Sequence, residues 1–194
     1  MFRYVRPVLM VFLLLTVLTG IIYPLFVTGL AQLLFPEKAN GSLIIAESGY
    51  AGSELIGQPF DDPIYFWGRL SATPDLLYNP ASSSGSNLGP SNPALMEAVK
   101  GRVAALQKTD PGNKLPIPID LVTSSGSGLD PHISPAAGLY QASRVARTRG
   151  LSEDQVRRLV DRNTEPRQWG FLGEPRVNVL KLNQSLDRLR QKGA

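Results

Sequence analysis

Between Val8 and Phe35 lies an uncharged run of 28 residues, VLMVFLLLTVLTGIIYPLFVTGLAQLLF. A bilayer core of ~30 Å needs about 20 apolar residues in helical form, so this run spans it with residues to spare. A cleavable signal peptide is the rival reading, with Arg3 and Arg6 as its basic start and Val27-Thr28-Gly29 as a cleavage site. The apolar stretch exceeds the ~7–15 residues of a signal's hydrophobic region and continues past that site, which favours a retained anchor.

Pro24 falls late in the segment and cannot donate to the carbonyl of Gly20, which predicts a kink that neighbouring helices would tolerate. Thr16 and Gly20 form a small-xxx-small pair that lets another helix approach closely. Arg3 and Arg6 lie on the short N-terminal side, whereas Glu37 and Lys38 offset each other on the far side. The positive-inside rule then predicts residues 1–7 in the cytoplasm, a span over 8–30, and residues 31–194 on the far side of the membrane.

The formal charge of +4 raises the question of nucleic acid. Beyond residue 36 the chain carries 18 basic and 16 acidic side chains, close to neutral. Hydrophobic residues make up 43% of the chain, enough for a packed core, and cysteine is absent, which excludes disulfides and thiolate metal sites.

In the soluble part, GSLII (41–45), SELIGQPF (53–60), LPIPIDLV (115–122) and VNVLKL (177–182) read as strands, the third at an edge because of its prolines. Asn92-Pro93 opens a helix whose stripe is Leu95, Val99, Val103 and Leu106, and Asp110-Pro111-Gly112-Asn113 ends it. Ser134-Pro135 opens another, which Gly150 stops. Arg144, Arg147 and Arg149 read there as solvated partners of the helix dipole. Ser152 and Gln155 form a capping box, with Leu151 and Val156 as its staple. Leu182, Leu186 and Leu189 line a closing helix. The fold class is α+β: one transmembrane helix followed by a single α+β domain.

Two polar loops stand out. YNPASSSGSNLGPSNP (78–93) holds five serines and three asparagines without a charge, and TSSGSGLDPHIS (123–134) follows the proline-bearing segment. Composition alone suggests slack linkers. Both nevertheless close on a helix cap, so they are expected to be ordered, the aromatic run Tyr65-Phe66-Trp67 packing beneath the first. Tyr78, Asn79, Ser86, Asn87 and Asn92 in one, with Asp130 and His132 in the other, are the candidate partner-facing residues. The bland alternative is that these side chains satisfy their own turns and caps.

Catalytic chemistry finds little support. His132 is the sole histidine and no G-x-S-x-G elbow is present, which argues against a Ser-His-Asp hydrolase. One histidine without cysteine makes a transition-metal site improbable. The arginine-rich helix pair at 134–163 imitates a helix-turn-helix, but the membrane topology removes it from DNA. No G-x-x-x-x-G-K-[ST] loop cradles phosphate; SSSGSNLG only loosely resembles the signature of ABC ATPases.

Taken together, NGSLI, YFWGRLSA, YNPASSSGSNLGPSNP, VTSSGSGLDPHISPAAGLYQASRVARTRG and VNVLKLNQSLD resemble the C subunit of the Kdp-type potassium-transporting ATPase of bacteria. The family usually carries two consecutive glycines where this chain has Gly85-Ser86. The resemblance implies a single-pass, non-catalytic accessory subunit of the inner membrane. It implies three partners: a channel-like potassium-binding subunit, a P-type ATPase that hydrolyses ATP, and a very small hydrophobic subunit. It also implies a catalytic-chaperone role, or a cap near the potassium entrance. The alternative is a nucleotide-binding regulator that raises the ATPase subunit's affinity for ATP. No residue is assigned a catalytic, cofactor-binding or metal-ligand role; Thr16, Gly20 and Pro24 are the expected membrane-helix contacts.

Overall fold

The computed structural model describes residues 2–46 and 49–192. The chain folds as two compact units that meet in sequence at Ser53/Glu54.

In the first unit a continuous helix, α1, runs from Val5 to Leu34, with none of its most apolar window buried. Its length follows from an unbroken run of large apolar residues, and the register adjusts where proline enters. Leu18–Ile22 form a π-helical turn, in which the Tyr23 amide reaches back to the Leu18 carbonyl immediately before Pro24. The wide turn absorbs the hydrogen bond that Pro24 cannot make. A short helix α2, Pro36–Ala39, follows. Paired amides of Gln32 and Asn40, with a further bond from Asn40 to the Pro36 carbonyl, close this end. Strands β1 (Leu43–Ala46) and β2 (Gly49–Ser53) make an antiparallel hairpin.

The second unit holds α3 (Pro93–Thr109), β3 (His132–Ile133), α4 (Pro135–Arg149), α5 (Glu153–Arg162), β4 (Thr164–Glu165), β5 (Arg176–Asn178) and α6 (Val179–Lys192). The antiparallel sheet has the order β3-β5-β4, with Val177 opposite both Ile133 and Thr164. Val177 and Ile133 join Val145, Val156, Val160, Leu182 and Leu186 in the core. The caps behave as their residue types dictate. Asn92 accepts from the Ala94 amide, Ser134 from Ala137, and Ser152 with Gln155 completes the capping box. Gly150 ends α4 in the left-handed conformation.

A segment without regular structure runs through the core. Asn183 of α6 donates to the Phe66 carbonyl and accepts from its amide; Gln141 of α4 does the same for Trp67. Two side-chain amides thus replace a strand partner for two buried peptide units. Phe66 and Trp67 are buried beneath this polar grip.

Four expectations need correction. Residues 54–60 are irregular, and the strand of that region lies earlier, at Gly49–Ser53. LPIPIDLV forms no strand: Pro116 and Pro118 lack amides for a ladder, and Ile119–Leu121 make a 3₁₀ turn. Of its supposed face, Leu115 and Ile119 are exposed while Leu121 is buried. The last strand stops at Asn178, whose side chain accepts from the Lys181 amide and caps α6, so 179–182 are helical. Finally, two of the arginines read as solvated are not: the Arg149 side chain is 5% exposed, donates to the Ile64 carbonyl and pairs with Asp187, and Arg144 lies deeper still. It is 1% exposed, donates to the carbonyls of Pro63 and Tyr65 and to Gln141, and lies 4.9 Å from the Trp67 ring. Burial pushes its guanidinium down to about 10. On α3 only Leu106 is fully buried; Leu95, Val99 and Val103 are half-buried.

Candidate functional site

The two serine-rich loops meet. The Ser84 amide and the Ser83 hydroxyl both donate to the Ser127 carbonyl, at 2.9 and 3.0 Å. Farther along, the Ser125 amide donates to the Leu70 carbonyl, and Leu70 forms a parallel bridge with Ser124. Glycine makes the approach feasible. A Cβ on Gly85 would stand 2.8 Å from the Gly126 carbonyl oxygen, and one on Gly128 would stand 2.5 Å from that of Ser84. Gly128 also holds φ +70, which an L side chain resists. Serine and glycine therefore let two backbones touch.

Tyr78 lies inside this construction. It is 8% exposed, its hydroxyl donates to the Arg69 carbonyl, and its amide donates to the Ser71 hydroxyl. Burial pushes its phenol up to about 12. The ring presses on Gly57, where an added Cβ would also lie 2.8 Å from the Asp130 carbonyl. Gly57 is thus the joint between the start of the first loop and the second. Asn79 is half-buried; its side chain accepts from the Ala81 amide and closes a local turn. Asn92 spends its side-chain oxygen on the helix cap. Ser86 and Asn87 are exposed, and Asn87 takes φ +50, a conformation asparagine tolerates better than most residues.

At the other end Asp130 gathers charge. Arg69 approaches its carboxylate at 3.1 Å, His132 Nδ1 at 3.3 Å, and the His132 amide donates to it at 2.9 Å. Burial raises the Asp130 carboxyl, but the hydrogen bonds from His132 and Arg69 outweigh this and hold it below the usual carboxylate range. Asp130, His132 and Arg69 line an open cleft of about 640 Å³ together with Asp120, Ile119 and the Glu174–Arg176 stretch. Asp120 accepts from the amide and hydroxyl of Ser134, fixing the start of α4.

The structure therefore brings together the backbones of both loops, with Tyr78 turned inward, Ser86 and Asn87 outward, and Asp130 and His132 in the adjoining cleft. Thr16, Gly20 and Pro24 belong to the other unit. The Thr16 hydroxyl donates to the Phe12 carbonyl, and Gly20 lies within the π turn. Arg69, Gly57 and Asp120 were not foreseen. Only the glycine at 57 carried any signal, and that signal is shared by many loop glycines. The arrangement offers hydrogen-bonding oxygens and amides held in fixed positions, chemistry suited to contact.

Residues 5–188 match the family described as the K+-transporting ATPase, c chain. The chain is 63% identical over 190 residues to the potassium-transporting ATPase KdpC subunit of Methylococcus capsulatus, covering 98% of this chain and 100% of that one. It is 60% identical to the KdpC subunit of Polaromonas naphthalenivorans, covering 97% and 96%, and 59% identical to that of Sorangium cellulosum, covering 98% and 100%.

Proposed function

Because this chain belongs to the KdpC family, the c chain of K+-transporting ATPases, we propose that it serves the pump as a non-catalytic, single-span accessory subunit. Its second unit lies on the outer side of the inner membrane, a reading supported by the basic residues Arg3 and Arg6 on the other side of the apolar run. It holds the channel-like and ATP-hydrolysing subunits in a working assembly through a contact face built on the two polar loops.

The observation that carries this reading is the pairing of Ser84 with Ser127. It gives two loops of linker-like composition one fixed surface, so ordering entropy is met during folding and not on binding. Neutral oxygens at Ser86 and Asn87 let potassium pass nearby without a fixed positive field. A nucleotide cradle would need free amides in this serine-glycine stretch, and the commitment of the Ser84 amide to Ser127 supports the contact reading instead.

The test is potassium-dependent ATPase activity of the purified complex carrying Asn87→Asp, with protease accessibility of residues beyond 37 in sealed, oriented vesicles. The reading expects an altered apparent potassium affinity and cleavage from the outer side. An unchanged potassium response in an intact complex, or protection from outside protease, would sink it.

A further inference from the structure

Between β4 and β5 the chain turns back at a tip that carries a dense exposed apolar group. Trp169 is 77% exposed, Phe171 68% and Leu172 43%. This tip is built, not frayed. Gln168 and Leu172 exchange amide-to-carbonyl bonds, each at 2.9 Å. Below them Arg167 pairs with Glu174 at 2.6 Å, and Arg176 with Glu165 at 3.1 Å. Trp169 holds φ +53, a conformation that bulky residues avoid, followed by glycines at φ +84 and +75. Such strain, kept where the indole stands largely exposed, points to use of that side chain.

The surroundings indicate what covers it. A bilayer is a broad plane, anionic in bacteria, and tips that enter it gain from unpaired cations. Here Arg167 and Arg176 are each neutralised by a glutamate. Glu174 and Arg176 also line the cleft that holds Asp120 and Asp130, a concave surface of mixed charge that a lipid plane would not fill. Asp130 has Arg69 as its partner, whereas Asp120 has no cation within ion-pair distance among the described residues. A convex apolar knob beside a concave wall whose Asp120 carboxylate is hydrogen-bonded to Ser134 but faces no cation among the described residues is complementary to another protein.

We propose that the 168–172 tip and the adjoining cleft form a second docking surface, for a protein subunit of the same pump. That partner offers an uncharged apolar pocket to Trp169, Phe171 and Leu172, and a Lys or Arg side chain to Asp120. The proposal rests on the membership of the complex argued above, and adds a contact independent of the Ser86–Asn87 face.

The test places the photocrosslinking residue p-benzoyl-phenylalanine at position 171 of the full chain in the purified complex, and separately at position 87. The expected result at 171 is a covalent adduct to another protein subunit, mapped by mass spectrometry to an apolar pocket, and lost when Trp169→Ser is added. An adduct to lipid alone, or no adduct, overturns the proposal. An adduct at 87 without one at 171 leaves the loop face standing and removes the tip; the converse removes the loop face and leaves the tip. Phe171→Ser should also weaken retention of the chain in the detergent-solubilised complex at least several-fold. Its melting temperature in isolation should stay unchanged, because the side chain it removes is exposed.

Discussion

The Ser84 amide donates to the Ser127 carbonyl across 2.9 Å, joining residues 43 positions apart in sequence. Gly128 makes room for that bond, with its own Cα facing the Ser84 carbonyl and the Thr73 side chain. Gly128→Ala introduces a methyl into this contact at a positive φ. It should destabilise the second unit by on the order of 1–3 kcal/mol. Thermal melting measures the loss, and Gly89→Ala, which meets nothing within 4 Å, is the matched control.

Asn92 and Asn87 separate stability from contact. Asn92→Ala removes the oxygen that caps Ala94 and should cost about 0.5–2 kcal/mol in a denaturation curve. Asn87→Asp keeps a residue that tolerates the left-handed backbone and should leave the same curve nearly in place. Its added charge should instead change the potassium dependence of ATPase activity, most at low ionic strength.

Arg144 should be among the residues least tolerant of replacement. Arg144→Met fills part of the space but leaves the Tyr65 carbonyl without its arginine donor and the Pro63 carbonyl with only the 3.3 Å bond from the Thr148 hydroxyl. A loss of roughly 2–5 kcal/mol is expected, with a shift in Trp67 fluorescence because the guanidinium no longer sits at its ring. Lysine cannot restore the forked geometry, so Arg144→Lys should rescue little.

The Asp130 carboxyl is held low in the folded chain by His132 and Arg69. Its contribution is therefore fully present above the ordinary carboxylate range, about pH 4, and is lost as the pH falls through the lowered folded value. Melting temperatures of the parent and of Asp130→Asn should differ near pH 7. As the pH is lowered through and below the ordinary carboxylate range, the gap should narrow. A gap independent of pH would assign the effect to packing.

Trp169→Asn should raise the stability of the isolated chain by about 0.5–1 kcal/mol, because asparagine occupies a positive φ at less cost than tryptophan. Chemical denaturation reads this gain directly. A fall in stability would mean that the indole is held by contacts stronger than the backbone strain.

What could be read along the chain was whatever is decided within a few residues. The apolar run from Val8 dictates a helix of spanning length, since a backbone in hydrocarbon must satisfy itself. The Asn92, Ser134 and Ser152 starts and the Gly150 stop are bonds to amides and carbonyls no more than about a turn away, so residue type suffices. The mistaken strands share another cause. Alternating apolar residues in LPIPIDLV and VNVLKL suggested period two, but proline without an amide and Asn178 acting as a cap overruled it. The inward turn of Arg144 was hidden because its acceptors at Pro63 and Tyr65 lie 81 and 79 residues away. The meeting of the two serine loops was hidden for the same reason. Serine and glycine permit close approach of backbones without naming the partner, and only the packing of the core on either side brings Ser84 to Ser127.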